Sequence, residues 1–451
     1  MSIIFPLLTL FVSLFLYLIA PEGHNYVFCW ACALVFFSVC YTAVRQDISE
    51  KRYVSFNTVF FVFLFISSFI IPLFLRSTFS YLDKYINRGT ALVTFAACAY
   101  NWGWQRPIMR GSYNYDTATV SFIPRLTQVI MNSLCIIVFI VYIVLLASFM
   151  RTLDNQTNDF DVVYFVLILN AILTSTLLVN VVAKRQWCYN IISFLKNNAL
   201  VVLLIFIVVC TFLSFGDRTT PIYLGLVVVG TYELFVHRIK LPTVILVSIV
   251  SLVLFFTVGQ TRIATREEAG RSSLIELTET TLSNTSSIID FFSDFVPASS
   301  ALYLSLDYIE THHEFYYPEK ILITVLSPIP FVPSLLSEAL FHIPNRELSS
   351  SYLTTSQYDR NIKRLNGGLG THCVGDIYLS WGLFGVFLAF FLLGRIIGIA
   401  QIRCRFSIYW AVVYISMLGN AVYIPRATLF DSYRLIVFQL IIIWLLRGLH
   451  D

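Results

Sequence analysis

GQTRIATREEAGRSSLIELTETTLSNTSSIID, residues 259–290, opens the one long interruption in a chain otherwise filled with apolar runs. Those runs fill residues 3–259, stop across 260–376, and resume at 377. A helix that crosses a bilayer needs about 20 mostly apolar residues. By that ruler the chain reads as an all-α polytopic membrane protein with about twelve transmembrane helices. The expected spans are 3–20, 26–44, 55–75, 89–104, 126–149, 162–183, 199–215, 220–236, 241–259, 377–400, 406–424 and 433–447. The organisation that follows is helices 1–9 in 1–259, a large, partly helical loop in 260–376, and helices 10–12 in 377–451. A chain that interrupts its spans once is expected to carry its function in the interruption and in the helix ends that border it.

Composition sets the class. The chain is 57% apolar and 12% charged, with a mean hydropathy of +0.77. Soluble domains are nearer a quarter charged, so an ordinary globular enzyme is excluded. The net charge of +4 is small and implies no nucleic-acid partner. No cysteine pair is placed to bridge the loop, so neither a disulfide framework nor a cysteine metal site is expected. The opening MSIIFPLLTLFVSLFLYLIAPEGH lacks a basic leader and reads as the first span, not a cleaved signal peptide. Short loops carrying Arg45, Lys51, Arg52, Arg106, Arg110, Lys184, Arg238 and Arg403 outweigh in positive charge the alternate set, which holds Arg76, Lys84, Arg88 and Arg218. Excess Lys and Arg marks the cytoplasmic side, so both termini are expected inside and the long loop outside.

Even-numbered spans then start at the outer surface, with backbone N–H groups and partial positive charge pointing outward. Three starts carry suggestive residues. FGDRTTPIYLGL places Arg218 before a cap by Thr219 or Thr220, with Pro221 in the first turn. A helix start beside a guanidinium suits an anion, although Asp217 and Arg218 also read as a hydrated turn. IPRATLFDSYRLIVF places Arg426 ahead of a cap by Asp431 or Ser432 and Arg434 one turn inside, where it needs a partner or a cavity. NGGLGTHCVGDIYLSWGLFG supplies His372 and Asp376, four apart and on one face if helical, either of which can accept a proton. Arg262 leaves span 9 directly and is a fourth candidate cation. In the loop, FFSDFVPASSALYLSLDYIE has helical spacing, and SPIPFVPSLLSEALFHIPNRE reads as a segment lying against the bilayer. Glu233 and Arg395 fall near inner ends, where long side chains reach water by snorkelling.

No P-loop, HExxH, GxSxG or Rossmann fingerprint occurs. No metal ligand set and no cofactor is therefore expected. Phosphate chemistry here would rest on arginines and helix ends.

These residues resemble, in order over roughly 215–440, the Wzy-type repeat-unit polymerases of bacterial surface polysaccharide synthesis. The resemblance runs through Gly216-Asp217-Arg218 and Ile343-Pro344-Asn345-Arg346. It continues through Gly375-Asp376-Ile377-Tyr378 with Trp381-Gly382-Leu383-Phe384-Gly385, then Pro425-Arg426 and Asp431-Ser432. Arg364 and Gly375 match a spacing found in some members, and Asp376 stands where relatives often carry glutamate. The resemblance implies a metal-independent glycosyltransferase of the bacterial inner membrane that polymerises undecaprenyl-pyrophosphate-linked oligosaccharides on the periplasmic face, as in O-antigen. Membrane lipid, a chain-length regulator and a flippase are its implied partners. On this reading Arg218, Arg262, Arg426 and Arg434 hold the pyrophosphate, and His372 or Asp376 is the base. The rivals are an O-antigen ligase acting on lipid A core, a lipid-linked oligosaccharide flippase and a non-catalytic scaffold.

Overall fold

The computed structural model describes residues 4–74, 81–110, 125–154, 160–184, 190–214, 217–249, 251, 296–329, 332–343, 345–361 and 369–448. Among them there is no strand. The N-terminal helices are α1 (Ile4–Leu18), α2 (Tyr26–Ser49), α3 (Phe56–Phe74), α4 (Ile86–Arg110), α5 (Arg125–Asp154) and α6 (Phe160–Ala183). They are followed by α7 (Ile191–Asn197), α8 (Ala199–Ser214) and α9 (Thr219–Phe235). Within the expected loop lie α10 (Val296–His312), α11 (Lys320–Leu326) and α12 (Ser350–Asn361). The chain ends in α13 (Cys373–Arg403), α14 (Ile408–Asn420) and α15 (Asp431–Gly448).

Among the described residues, five helices are long and apolar enough to cross a membrane: α2, α3, and the apolar parts of α5, α6 and α13. The pair α7 and α8, bent by 90°, makes a sixth if it is one span. Four shorter apolar helices of 10–17 residues lie in α1, α9, α14 and α15. The expected twelve spans are thus matched only in part by length and composition, and of expected span 9 residues 250 and 252–259 lie outside the described residues.

The helix at the centre is α4, which the apolar ruler undervalues. It carries Asn87, Thr90, Thr94, Asn101 and Gln105, yet all five are buried. Asn87 accepts from the Asn25 backbone N–H (3.0 Å) and donates to the Pro21 carbonyl (3.1 Å). Thr90 and Thr94 donate back to carbonyls one turn earlier, as helical threonines do. Small residues, Ala91, Ala96, Ala97, Cys98 and Ala99, let other helices close on it.

The tightest of these approaches is to α13. A Cβ on Gly103 would lie 2.0 Å from the Phe391 carbonyl oxygen, and one on Gly394 2.0 Å from that of Tyr100. One on Gly398 would lie 2.7 Å from the Trp104 oxygen. Gly394 and Gly398 form the small-xxx-small pattern that brings helices together where lipid gives no hydrophobic drive between them. Positions 100 and 104 face 394 and 398 in ascending order, so α4 and α13 run parallel and start on the same side. At the far end Trp104 donates to Gln401 (3.0 Å), which donates to the buried Asp47 of α2 (2.6 Å).

The loop helix α10 is part of this core. Residues 298–307 are all buried, and Ser299 donates to the Ser67 carbonyl of α3 at 2.5 Å. The segment expected against the bilayer forms a short helix, Val332–Leu335, extended by a π-helical turn, with Leu335 and Leu340 exposed. Glu233 does not snorkel. It is 7% exposed and accepts from the backbone N–H groups of Tyr53 (3.0 Å) and Val54 (3.1 Å) ahead of α3. Arg395 is exposed.

Gly394→Ala is expected to lower the thermal midpoint in nanodiscs, by the roughly 1–3 kcal/mol typical of overpacking. Gly225→Ala, where a Cβ would meet nothing within 4 Å, is expected to be neutral or slightly stabilising. Equal midpoints for the two would contradict the clasp.

Candidate functional site

The first cluster forms where the start of α9 meets the connection from α14 to α15. Asp217 takes the N-cap work that Thr219 or Thr220 was expected to do. Its carboxylate accepts from the Thr219 N–H at 2.9 Å and the Thr220 N–H at 3.5 Å. Pro221 has no N–H, and Ile222 bonds back to the Arg218 carbonyl (3.2 Å). The first turn of α9 therefore has no unspent N–H for an anion. Whatever this corner offers negative charge comes from side chains, chiefly Arg218, which is half-buried in the N-cap position.

Arg426 is half-buried in a 3-10 turn at Ile424–Arg426. Tyr423 registers both. Burial raises its phenol above the usual range, Arg426 pulls it down, Asp217 pushes it up, and Arg218 and the Thr219 hydroxyl pull it down. Two arginines far apart in sequence thus share one tyrosine. The Tyr423 hydroxyl oxygen is itself buried without a well-aligned hydrogen-bond partner.

The approach to α13 lies against this corner. Gly370, at φ +82°, would place a Cβ 3.8 Å from the Arg426 carbonyl oxygen. Hydroxyls of α12 hold that approach extended: Thr354 donates to the Gly370 carbonyl (2.7 Å), Thr355 accepts from Leu369 N–H (2.9 Å), and Ser350 meets Thr371 (2.9 Å).

His372 caps α13. Its Nδ1 accepts from the Val374 N–H at 3.2 Å, which places the ring proton on Nε2, 2.9 Å from Ser68 Oγ. The ring is fully buried, and burial pushes its pKa down to about 3. His372 precedes the helix, so it does not share a face with Asp376 as the spacing suggested. It is a neutral cap with both nitrogens engaged. Asp376, 3% exposed, instead forms an ion pair with Lys320 at the start of α11.

Lys320 had no signal in the sequence except that a buried carboxylate requires a partner. It is delivered by a bend in α13. Gly382 takes φ 60° and ψ −155°, a region open essentially to glycine alone. The bend frees the Leu379 carbonyl, which accepts from the Tyr316 N–H (2.9 Å), while Trp381 donates to the Pro318 carbonyl (3.1 Å). Segment 313–318 is thereby docked at the kink, and Lys320 follows it.

Arg434 is placed elsewhere. Its Nε donates to Ser327 Oγ at 2.9 Å, at the end of α11, and Tyr164 donates to the Ser327 carbonyl at 3.1 Å. The helix α11 thus runs from Asp376 at one end to Arg434 at the other. Arg262 and Arg364 lie outside the described residues. Arg218 and Arg426 both act on Tyr423, His372 caps α13, and Asp376 and Arg434 bind at opposite ends of α11. Among the described residues no group of three or more His, Cys, Asp and Glu is placed to hold a metal ion.

A family model described as O-antigen polysaccharide polymerase Wzy matches residues 195–449, more than half of the chain. Comparison with curated proteins and with solved structures gives no match. All of Arg218, Lys320, His372, Asp376, Arg426 and Arg434 lie inside the matched range.

The depressed pKa of His372 makes a signed prediction. Its neutral form stabilises the fold above the ordinary value of 6.5, and that contribution is lost as pH falls from 6.5 toward about 3. His372→Asn keeps an N-cap acceptor but cannot titrate. The thermal midpoint should fall more steeply between those pH values in the parent than in this variant, and parallel curves would contradict the buried-cap assignment.

Proposed function

The chain belongs to the Wzy family of O-antigen polysaccharide polymerases, and from that premise we propose that it polymerises undecaprenyl-pyrophosphate-linked oligosaccharides at the periplasmic face of the bacterial inner membrane. What supports this reading is that Arg218 and Arg426, far apart in sequence, both act electrostatically on Tyr423. In the reaction the sugar C1–O bond to the lipid diphosphate breaks, and a C1–O bond to a hydroxyl of the next unit forms. The diphosphate leaves with its electron pair. The hydroxyl proton goes to a base. A diphosphate leaving group needs charge stabilisation more than protonation, and two guanidiniums at a half-buried corner supply it.

Asp376 is the base in this scheme, and its ion pair with Lys320 aims the carboxylate. His372 is a positioning residue that fixes the first turn of α13. Arg434 holds α11 in place and thereby Lys320. Arg262 joins the cations as a proposal from sequence alone.

The length of α13 supports the membrane placement. From Gly382 to Arg403 it is about 33 Å long at 1.5 Å per residue, close to the roughly 30 Å hydrocarbon core. Cys373–Trp381, with Asp376, then stands beyond the lipid at the outer surface. The excess of basic residues at the opposite ends places both termini in the cytoplasm. The loop 260–376 is periplasmic, and a flippase that delivers substrate and a chain-length regulator are the partners this reaction calls for.

Arg218→Ala and Arg426→Ala should each lower polymerisation by about 10²–10³, the scale of losing one preorganised donor. The double variant should fall little further, because the pair acts as a unit. Asp376→Asn should abolish long chains, while His372→Asn should retain them. Polysaccharide ladders on gels, normalised to membrane-inserted protein, decide. Normal ladders in both arginine variants would remove the diphosphate site, and loss in His372→Asn with retention in Asp376→Asn would exchange their roles.

A further inference from the structure

A second polar cluster lies where the ends of α1 and α10 meet the starts of α4 and α13. Tyr17 and Tyr378 join hydroxyls at 2.8 Å, and Arg88 Nε donates to the Tyr17 hydroxyl at 3.3 Å. The Arg88 guanidinium also sits over the Tyr17 ring, 5.3 Å from its centre. Across from it, both oxygens of the buried Asp307 are taken, by Tyr81 (2.7 Å) and Tyr85 (2.8 Å). Between these fixed groups Glu310 faces Lys84 at 3.7 Å and Arg88 at 3.8 Å.

Those last separations exceed hydrogen-bond length, which for N–H···O is about 2.7–3.2 Å. Glu310, Lys84 and Arg88 are also 45%, 47% and 40% exposed. Their donors and acceptors are held close by a rigid frame but are not spent on one another. In the ion pairs of this cluster, among the described residues, two cations face two carboxylates, Asp307 and Glu310. That balance suits a neutral ligand rich in groups that both donate and accept. It does not suit a diphosphate, which Glu310 and Asp307 would repel. Tyr81, 43% exposed, adds an aromatic face of the kind that lies against the C–H face of a sugar ring.

The geometry points to a saccharide-binding surface made by Tyr81, Lys84, Arg88 and Glu310, which holds the neutral glycan of the lipid-linked substrate away from its diphosphate. This rests on the proposed polymerase reading. Tyr378 and Asp376 are two residues apart on α13 and so project to different sides of it. The first turns of α13 therefore stand between the Asp376–Lys320 pair and this surface. A glycan seated here would be gripped on the far side of the wall from the bond being made, and grip at that distance governs how long the chain stays bound between additions.

The test uses the full-length protein in nanodiscs with two probes. One is the repeat-unit oligosaccharide released from its lipid diphosphate by mild acid, and the other is inorganic pyrophosphate. Arg88→Met and Glu310→Gln keep the side-chain volume. Each should weaken oligosaccharide binding at least tenfold and leave pyrophosphate binding within twofold. Their ladders should shift toward shorter chains. Unchanged oligosaccharide affinity in both variants, no measurable oligosaccharide binding by the parent, or equal loss of both probes would overturn the proposal. Lys84→Ala, at the most exposed position, serves if either variant fails to insert. Arg218→Ala in the same assay separates the two ideas. If it leaves pyrophosphate binding intact, the diphosphate site fails while the saccharide result still stands.

Discussion

The placing of the candidate site residues on α13 depends on the contact of α4 with α13 through Gly103, Gly394 and Gly398. Their backbones touch, with would-be Cβ atoms 2.0–2.7 Å from carbonyl oxygens across the interface. Because the two helices are parallel, that one contact sets both starts side by side. It places Arg88 beside Tyr378 and fixes the direction in which α13 presents Asp376. Lipid gives no hydrophobic reason for helices to associate, so close van der Waals packing and interhelical hydrogen bonds carry the load. The Trp104–Gln401–Asp47 chain at the opposite end supplies the latter.

Carboxylates and arginines are treated differently across the molecule. Glu233 and Asp217 accept backbone N–H groups, Asp47 accepts from Gln401, and Asp376 is paired with Lys320. Each buried acid is satisfied, as burial of charge requires. At Tyr423 the charges of Arg218, Arg426 and Asp217 all act on one phenol. The same accounting distinguishes the neutral Lys84–Arg88–Asp307–Glu310 cluster, which suits hydroxyls rather than phosphates. A lipid-linked glycan has both chemistries, one at each end of its reactive bond.

Much of this was legible in the sequence, and the failures have physical causes. Apolar length located the helices well, since in lipid every backbone group must be satisfied within the segment. It shortened α4, expected at 89–104 and found at Ile86–Arg110, because Asn87, near its start, is satisfied by Asn25 and Pro21, far away in the chain, and Thr90 and Thr94 by the helix itself. Arg218 and Arg426 stood out as cations at helix starts, and both act electrostatically on Tyr423. That Asp217, not a threonine, caps α9 depended on a turn conformation that composition does not encode. His372 was visible as a titratable group, but its role was set by Ser68, some three hundred residues away. Lys320 reaches Asp376 through a kink at Gly382 and a docked loop, neither of which leaves a periodic trace.

The central claim is that Arg218 and Arg426 meet at the outer surface. The direct measurement is thiol cross-linking of the Arg218→Cys, Arg426→Cys double variant with a short, membrane-impermeant bifunctional reagent applied from the periplasmic side, followed by peptide mapping. The account predicts an intramolecular 218–426 cross-link that forms without permeabilising the inner membrane. No cross-link, or one that appears only after the cytoplasmic side is opened to the reagent, would contradict it.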